Sequence, residues 1–247
     1  WCQKGSDKSQ NAVPHYEELL AEFPESPLAN ASSLELAELE YEAKKLNEVI
    51  RRLQGLIVKK PNKELLTRAQ YRLGWAYFDL KNYAEAAKAY EAMLTAAPED
   101  LLVTAAYQAG ESRLQSAPPQ PAAALVNFQK SIKAKKPAEP GQVVLQEQAL
   151  LRVGLCQGHL PVPKWADSEK AFKQFIVAYP KHDHIRTAQH GLGQALKNQE
   201  KYDVALKEFE SVLGEAIRDE LGAHSQFLLG ECYLERKMYD KAIAEYV

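Results

Sequence analysis

Apolar positions along the chain recur at three- and four-residue steps, the spacing of one face of an α-helix. Between 71 and 98 the pattern reads Leu73-Gly74-x-x-Tyr77, then Tyr83, Ala86, Tyr90 and Pro98. The same skeleton returns as Leu192-Gly193-x-x-Leu196 with Tyr202, Ala205 and Phe209. It returns again as Leu229-Gly230-x-x-Tyr233 with Tyr239, Ala242 and Tyr246. Looser copies run through Leu36-Ala37, Val49, Leu53, Leu56 and Pro61, through Ala109-Gly110, Ala124, Phe128, Ile132 and Pro137, and through Val153-Gly154, Trp165, Phe172 and Pro180. The small residue falls at 37, 74, 110, 154, 193 and 230, in steps of 37, 36, 44, 39 and 37. Each step predicts two helices, A around the small residue and B before the proline, which cannot continue a helix interior. A mid-helix glycine costs about 1 kcal/mol relative to alanine, so its return in phase implies a packing reason. The expectation is that Gly74 and its equivalents let helix B approach and that the alanine twelve residues later faces them. Tyr90 and its equivalents are expected to fill the gap toward the next repeat.

This skeleton resembles the tetratricopeptide repeat, a helix pair of about 34 residues with a Leu-Gly-x-x-Tyr element, an Ala-x-x-x-Phe element and a closing proline. The resemblance covers essentially the whole chain. It implies an all-α fold, a right-handed superhelical solenoid of antiparallel helix pairs forming one domain over 1–247. The repeats are expected at about 30–63, 67–100, 103–137, 147–181 and 186–219, with partial repeats at 1–25 and 223–247. Ala12, Tyr16, Leu19 and Pro24 fit a helix B, and Trp1 takes the register of Trp75. The chain is therefore expected to begin and stop inside repeats of a longer solenoid.

Composition adds exclusions. Ala, Leu, Glu and Lys dominate, which favours helix throughout. Thirty-one basic against 33 acidic residues leave a net charge of -2, so no general attraction to nucleic acid follows. No apolar run reaches the roughly 18–20 residues that span a bilayer, and "WCQKGSDKSQ" lacks the basic-then-apolar order of a signal peptide.

Cys2, Cys156 and Cys232 each stand two residues after a small position. Equivalent sites on different helices A lie too far apart for a disulfide, because helices pack about 8–10 Å apart and a bridge needs Cα atoms within about 7 Å. They are expected to be free, buried thiols. His182 and His184 of "KHDHIRTAQH" fall in a short loop and His190 in the next helix, without a Cys partner or a His-Glu-x-x-His arrangement. No metal and no cofactor is expected. No nucleophile–base order or phosphate loop stands out, so the reading is non-enzymatic. Residues 116–121, 133–142 and 159–165 lengthen loops, as tolerated surface or as a binding rim.

In the tetratricopeptide family a groove is lined by the second, fifth, sixth, ninth, twelfth and thirteenth positions of helix A. By register these are Arg68, Tyr71, Arg72, Trp75, Phe78 and Asp79, with Leu34, Glu35, Glu38, Tyr41 and Glu42 before them and Thr104, Tyr107, Gln108 and Glu111 after. The family's carboxylate clamp for chaperone tails is not matched, since its ninth position is Glu38, Trp75, Glu111, Leu155, Gln194 and Glu231 here. What remains is a partner-binding candidate of Tyr41, Arg68, Tyr71, Arg72, Trp75, Phe78, Tyr107 and Glu111. Aromatics with arginine are frequent binding anchors; packing between neighbouring helices A is the competing role, and the sequence leaves both open. The step lengths and "EFPESPLANASSLELAELEYEAKKLNEVIRRL" also resemble the envelope branch of the family, its outer-membrane assembly lipoproteins and the coordinator of the Tol–Pal system. That implies a bacterial periplasmic or envelope scaffold; unpaired thiols point instead to a reducing, cytoplasmic setting. The expected function is a non-enzymatic scaffold binding a protein or peptide, with no nucleic acid and no membrane insertion. The alternatives are a homo-oligomer stacked through open repeat ends, or the docking arm of an enzyme whose catalytic domain lies elsewhere.

Overall fold

A computed structural model describes residues 12–95, 98–135, 140–214 and 219–246. Trp1, Cys2 and Pro137, which the register used, lie outside the described residues. Those residues hold thirteen α-helices and no strand. The chain divides into two compact units, Trp1–Gln120 and Pro121–Val247. The first contains α1 (Val13–Glu22), α2 (Ala29–Glu42), α3 (Leu46–Val58), α4 (Lys63–Asp79), α5 (Tyr83–Leu94) and α6 (Glu99–Gln115). The second contains α7 (Pro121–Lys133), α8 (Pro140–Gly158), α9 (Trp165–Ala178), α10 (Ile185–Lys197), α11 (Tyr202–Leu213), α12 (Glu220–Glu235) and α13 (Tyr239–Tyr246). Within each unit every helix packs on the next in the chain, and alternate helices also touch at α2–α4, α8–α10 and α10–α12. The fold is thus all-α, built of the sequential helix pairs that the register predicts.

Local chemistry sets the helix ends. Asn62 caps α4 by accepting the Leu65 N–H at 3.0 Å, and Asp219 caps α12 by accepting the Gly222 N–H at 2.8 Å. At the far end, Lys44, Lys81, Glu200 and Lys237 all adopt positive φ, between 59° and 62°. Each stands seven residues after a small position and closes its helix with paired backbone bonds. At Lys81 these run from Lys81 N–H to Phe78 O and from Asn82 N–H to Tyr77 O, both 2.9 Å. Turns this short force helix B back along helix A. The equivalent positions after Gly110 and Gly154 fall in the two inserted loops, which replace the tight turn.

The glycines meet their own repeat's aromatic ring. A Cβ added at Gly74 would lie 2.6 Å from Cε1 of Tyr90, one at Gly193 2.7 Å from Phe209, and one at Gly230 2.6 Å from Tyr246. The expectation pointed these rings toward the next repeat. Tyr90 does reach it, sharing a core with Ala105 and Ala109 of α6, and the rings also cover the bare helix A backbone beside them, because only a missing side chain leaves room for a flat ring there. Phe172 does both: it covers Gly154 on α8 and also presses against Gly191 on α10. The equivalent alanines, Ala86, Ala205 and Ala242, are buried as the register requires. Elsewhere the cores are ordinary helical stripes such as Val49, Leu53 and Leu56 on α3, each large side chain contributing about 1.5–3 kcal/mol by burial.

Candidate functional site

Helices α2 and α4 lie side by side, and their register positions form a ladder of polar contacts. Arg68 Nη2 donates to Glu35 Oε1 at 3.2 Å. Arg72 pairs with Glu38, and its guanidinium carbon sits 4.4 Å from the centroid of the Tyr41 ring. Tyr41 donates its hydroxyl proton to Asp79 Oδ2 at 2.8 Å. Burial, the Asp79 hydrogen bond and the Asp79 charge push the Tyr41 hydroxyl up to about 12. Lys44 completes the row, with its ammonium 3.9 Å from Asp79 and 5.4 Å from the Tyr41 ring centroid. Both candidate arginines therefore already hold carboxylates of this chain.

The aromatic candidates stack edge to face. Ring centroids lie 6.3 Å apart for Tyr71 and Trp75, 6.2 Å for Trp75 and Phe78, and 6.2 Å for Trp75 and Tyr90. Such pairs contribute roughly 0.5–1.5 kcal/mol beyond area burial. Tyr71, Trp75 and Phe78 lean on the core of α5 and α6 and remain half-buried, so they both pack and present a surface. Tyr107 is only 7% exposed and is part of the core of α6. Glu111, one turn further along α6, is half-buried. The fifth register position is buried at Leu34, Tyr107 and Leu151, so there it serves packing. Beneath the cluster the Tyr90 hydroxyl is buried with no hydrogen-bond partner, as is Arg72 Nε. Burial is the main reason the Tyr90 hydroxyl holds its proton far more tightly than usual. The sequence missed Lys44 and Tyr90 here, because neither occupies a groove position on helix A; Lys44 was findable as the residue seven after Ala37.

The second unit carries a comparable ladder on α10 and α12. Arg186 grips Asp219 with two nitrogens at 2.6 and 3.1 Å and donates from Nε to the Val212 carbonyl at 3.0 Å. Lys197 pairs with Glu231 at 2.7 Å. Between them His190 Nδ1 lies 2.7 Å from Ser225 Oγ. The Ser225 hydroxyl proton goes to the Leu221 carbonyl at 2.8 Å, so its oxygen accepts from His190, whose proton sits on Nδ1. Burial, then the neighbouring His224 ring at 4.9 Å, holds His190 down at about 4.

The other sequence candidates resolve plainly. Cys156 and Cys232 are buried thiols, and burial pushes the Cys232 thiol up to about 11. His182 and His184 stand in the loop before α10 with rings 5.4 Å apart; the His184 N–H donates to His182 Nδ1. Among the described residues no group of three or more His, Cys, Asp or Glu could hold a metal ion, and no helix is long and apolar enough to cross a membrane. The loop at 116–120 is tied down rather than loose. Ser116 is buried and its Oγ lies 2.8 and 3.0 Å from the carbonyl oxygens of Arg113 and Pro118. Arg113 in turn holds Gln120 and Glu91.

No curated protein sequence matches the chain. Among solved structures, YrrB, described as a TPR protein with an unusual peptide-binding site, is 18% identical over 87% of this chain and 99% of its own, with a TM-score of 0.63. The apo form of RapI is 16% identical over 95% of this chain and 68% of its own, with a TM-score of 0.62. The C-terminal part of a TPR repeat-containing protein from Cytophaga hutchinsonii is 12% identical over 97% and 88%, with a TM-score of 0.65. At these identities the likeness is one of fold. The tetratricopeptide repeat family is matched directly by residues 67–100, which span most of α4 and α5, and by 190–247, which run from α10 through α13. A tetratricopeptide repeat model thus matches one segment in each of the two units.

Proposed function

We propose that the protein is a non-enzymatic scaffold that binds a protein or peptide segment on the shared face of α2 and α4. The observation that carries this is the half-buried row Tyr71, Trp75 and Phe78 beside Tyr41 and Arg72. Large rings held rigid by their neighbours give up little freedom on binding, which suits them as anchors. The peptide-binding description of YrrB, whose fold is similar, supports the same class of function. The test blocks the face without disturbing the core. Arg68 is exposed, so an Arg68→Cys variant in a Cys2→Ser background can carry a bulky maleimide adduct. Val177, 82% exposed in the second unit, provides the control position as Val177→Cys. Pull-down of the cellular partner should fail only with the adduct at 68; equal capture by both overturns the reading.

A second reading, self-association, is favoured by exposed apolar side chains on the last two helices, notably Phe227, Leu234, Tyr239 and Ile243. Ile243→Glu should then lower the mass measured by light scattering; an unchanged mass overturns it. The envelope setting rests on the resemblance of step length and phrasing alone. Cell fractionation tests it, and recovery in the cytosol would overturn it.

A further inference from the structure

The charges on the α2–α4 face are not equivalent once their partners are counted. We infer, resting on the binding face proposed above, that this face takes a segment presenting a lysine or arginine beside an apolar residue, and that it rejects an acidic tail.

The two arginines of the face and Lys44 are already engaged. Arg68 holds Glu35, Arg72 holds Glu38, and Lys44 leans on Asp79. A partner carboxylate reaching Arg72 would have to displace Glu38, whose side chain is only 24% exposed, and leave it unpaired in a low-dielectric setting. It would also approach Glu42, which is exposed and makes no ion pair among the described residues. The unspent charge on this face is therefore negative. Glu42 directly follows Tyr41, and Tyr41 binds Asp79, so the two carboxylates belong to one end of the face. Trp75 lies one helical turn before Asp79, and Phe78 is its chain neighbour.

The chain itself shows what this end attracts. The Tyr41 ring has the Arg72 guanidinium at 4.4 Å and the Lys44 ammonium at 5.4 Å, both within cation–π range. Lys44 is held in place by little else. Its side chain is 74% exposed and its 3.9 Å contact to Asp79 is long, so it is readily displaced. An incoming cation would take that spot, with Glu42 and Asp79 as its counter-charges and an apolar neighbour laid against Trp75 and Phe78. Glu35–Arg68 and Glu38–Arg72 would stay intact throughout.

Two fluorescein-labelled amphipathic peptides test this, identical in their apolar residues, one with lysine and one with glutamate at every charged position. Anisotropy should rise with the lysine peptide and not with the glutamate peptide. Glu42→Lys should weaken lysine-peptide binding roughly two- to fivefold, in line with exposed charge pairs. Lys44→Ala, by removing the resident ammonium, should strengthen it roughly twofold. Glu17→Lys makes the same change in net charge on exposed α1 and should do nothing, which separates this spot from bulk attraction. Preference for the glutamate peptide, binding of neither, or equal effects of Glu42→Lys and Glu17→Lys would each overturn the inference. The adduct at position 68 judges the binding face itself, so the two can fail separately.

Discussion

Two pairs of neighbouring helices, α2–α4 in the first unit and α10–α12 in the second, solve one problem with opposite polarity. On α2–α4 the leading helix supplies the carboxylates Glu35 and Glu38, and the following helix answers with Arg68 and Arg72. On α10–α12 the leading helix supplies Arg186 and Lys197, and the following helix answers with Asp219 and Glu231. In both, polar register positions are satisfied by the adjacent repeat before any partner arrives. The difference lies in the middle rung and in the company it keeps. The first ladder runs beside Trp75 and Phe78; the second is centred on His190 and Ser225 and is flanked by imidazole. The proposed anchoring surface lies on the first, and the histidine whose proton affinity burial lowers lies on the second.

Removing the second unit's central ring should give the largest effect. Phe172→Ala empties a site walled by two glycine backbones that cannot close in, and should cost about 3–5 kcal/mol in urea unfolding. A loss below about 1 kcal/mol would mean that the site collapses freely. Next comes the first ladder. Arg72→Ala strands Glu38 and removes the cation over Tyr41, for a loss of about 1–3 kcal/mol. Arg68→Ala breaks a pair that is nearly half exposed on both sides and should cost under about 0.5 kcal/mol. Equal losses would show that the two rungs do not differ in burial as described. Because Arg72 and Trp75 both support structure, replacing them together should lower the melting temperature, so an exposed site such as Arg68 is the sounder place to probe binding.

A further effect separates the ladders by pH. His190 is held at about 4 when folded, below its usual 6.5. The unfolded chain therefore binds the proton first. The contribution to stability is complete above about pH 6.5 and is lost progressively as the pH falls toward 4. His190→Asn should flatten the dependence of the urea midpoint on pH over that window relative to the parent. An unchanged slope in His190→Asn would remove the histidine from the account. Smallest is the turn after α4: Lys81→Gly relieves a left-handed residue and should raise stability by up to about 1 kcal/mol.

The repeat was legible because its skeleton is spelled in residue types that have few other uses. Gly74, Gly193 and Gly230 return in phase inside helices, where glycine is otherwise a liability. Tyr90 and Phe209 could be placed on helix B by spacing alone, but not over their own glycines, because spacing carries no side-chain direction. The left-handed turns were hidden because lysine and glutamate fill them, where glycine would have announced them. The candidate face was half legible. Register brought Tyr41, Arg68, Arg72 and Asp79 to neighbouring helices, yet no single-sequence pattern says that Arg72 meets Glu38 or that Tyr107 turns inward. Those depend on the offset between adjacent helices, which is a packing outcome.

Phe172, lodged between Gly154 of one repeat and Gly191 of the next, also bears on how the second unit comes apart. Repeat arrays lose cooperativity when the interface between neighbours is weak relative to each repeat. A ring seated in two backbones at once cannot leave one helix without vacating the other. Amide hydrogens of α8 and α10 should therefore exchange with a shared opening free energy, as a single cooperative block. The boundaries along which this protein frays under stress are then set by where such doubly seated rings occur, not by where its sequence repeats begin.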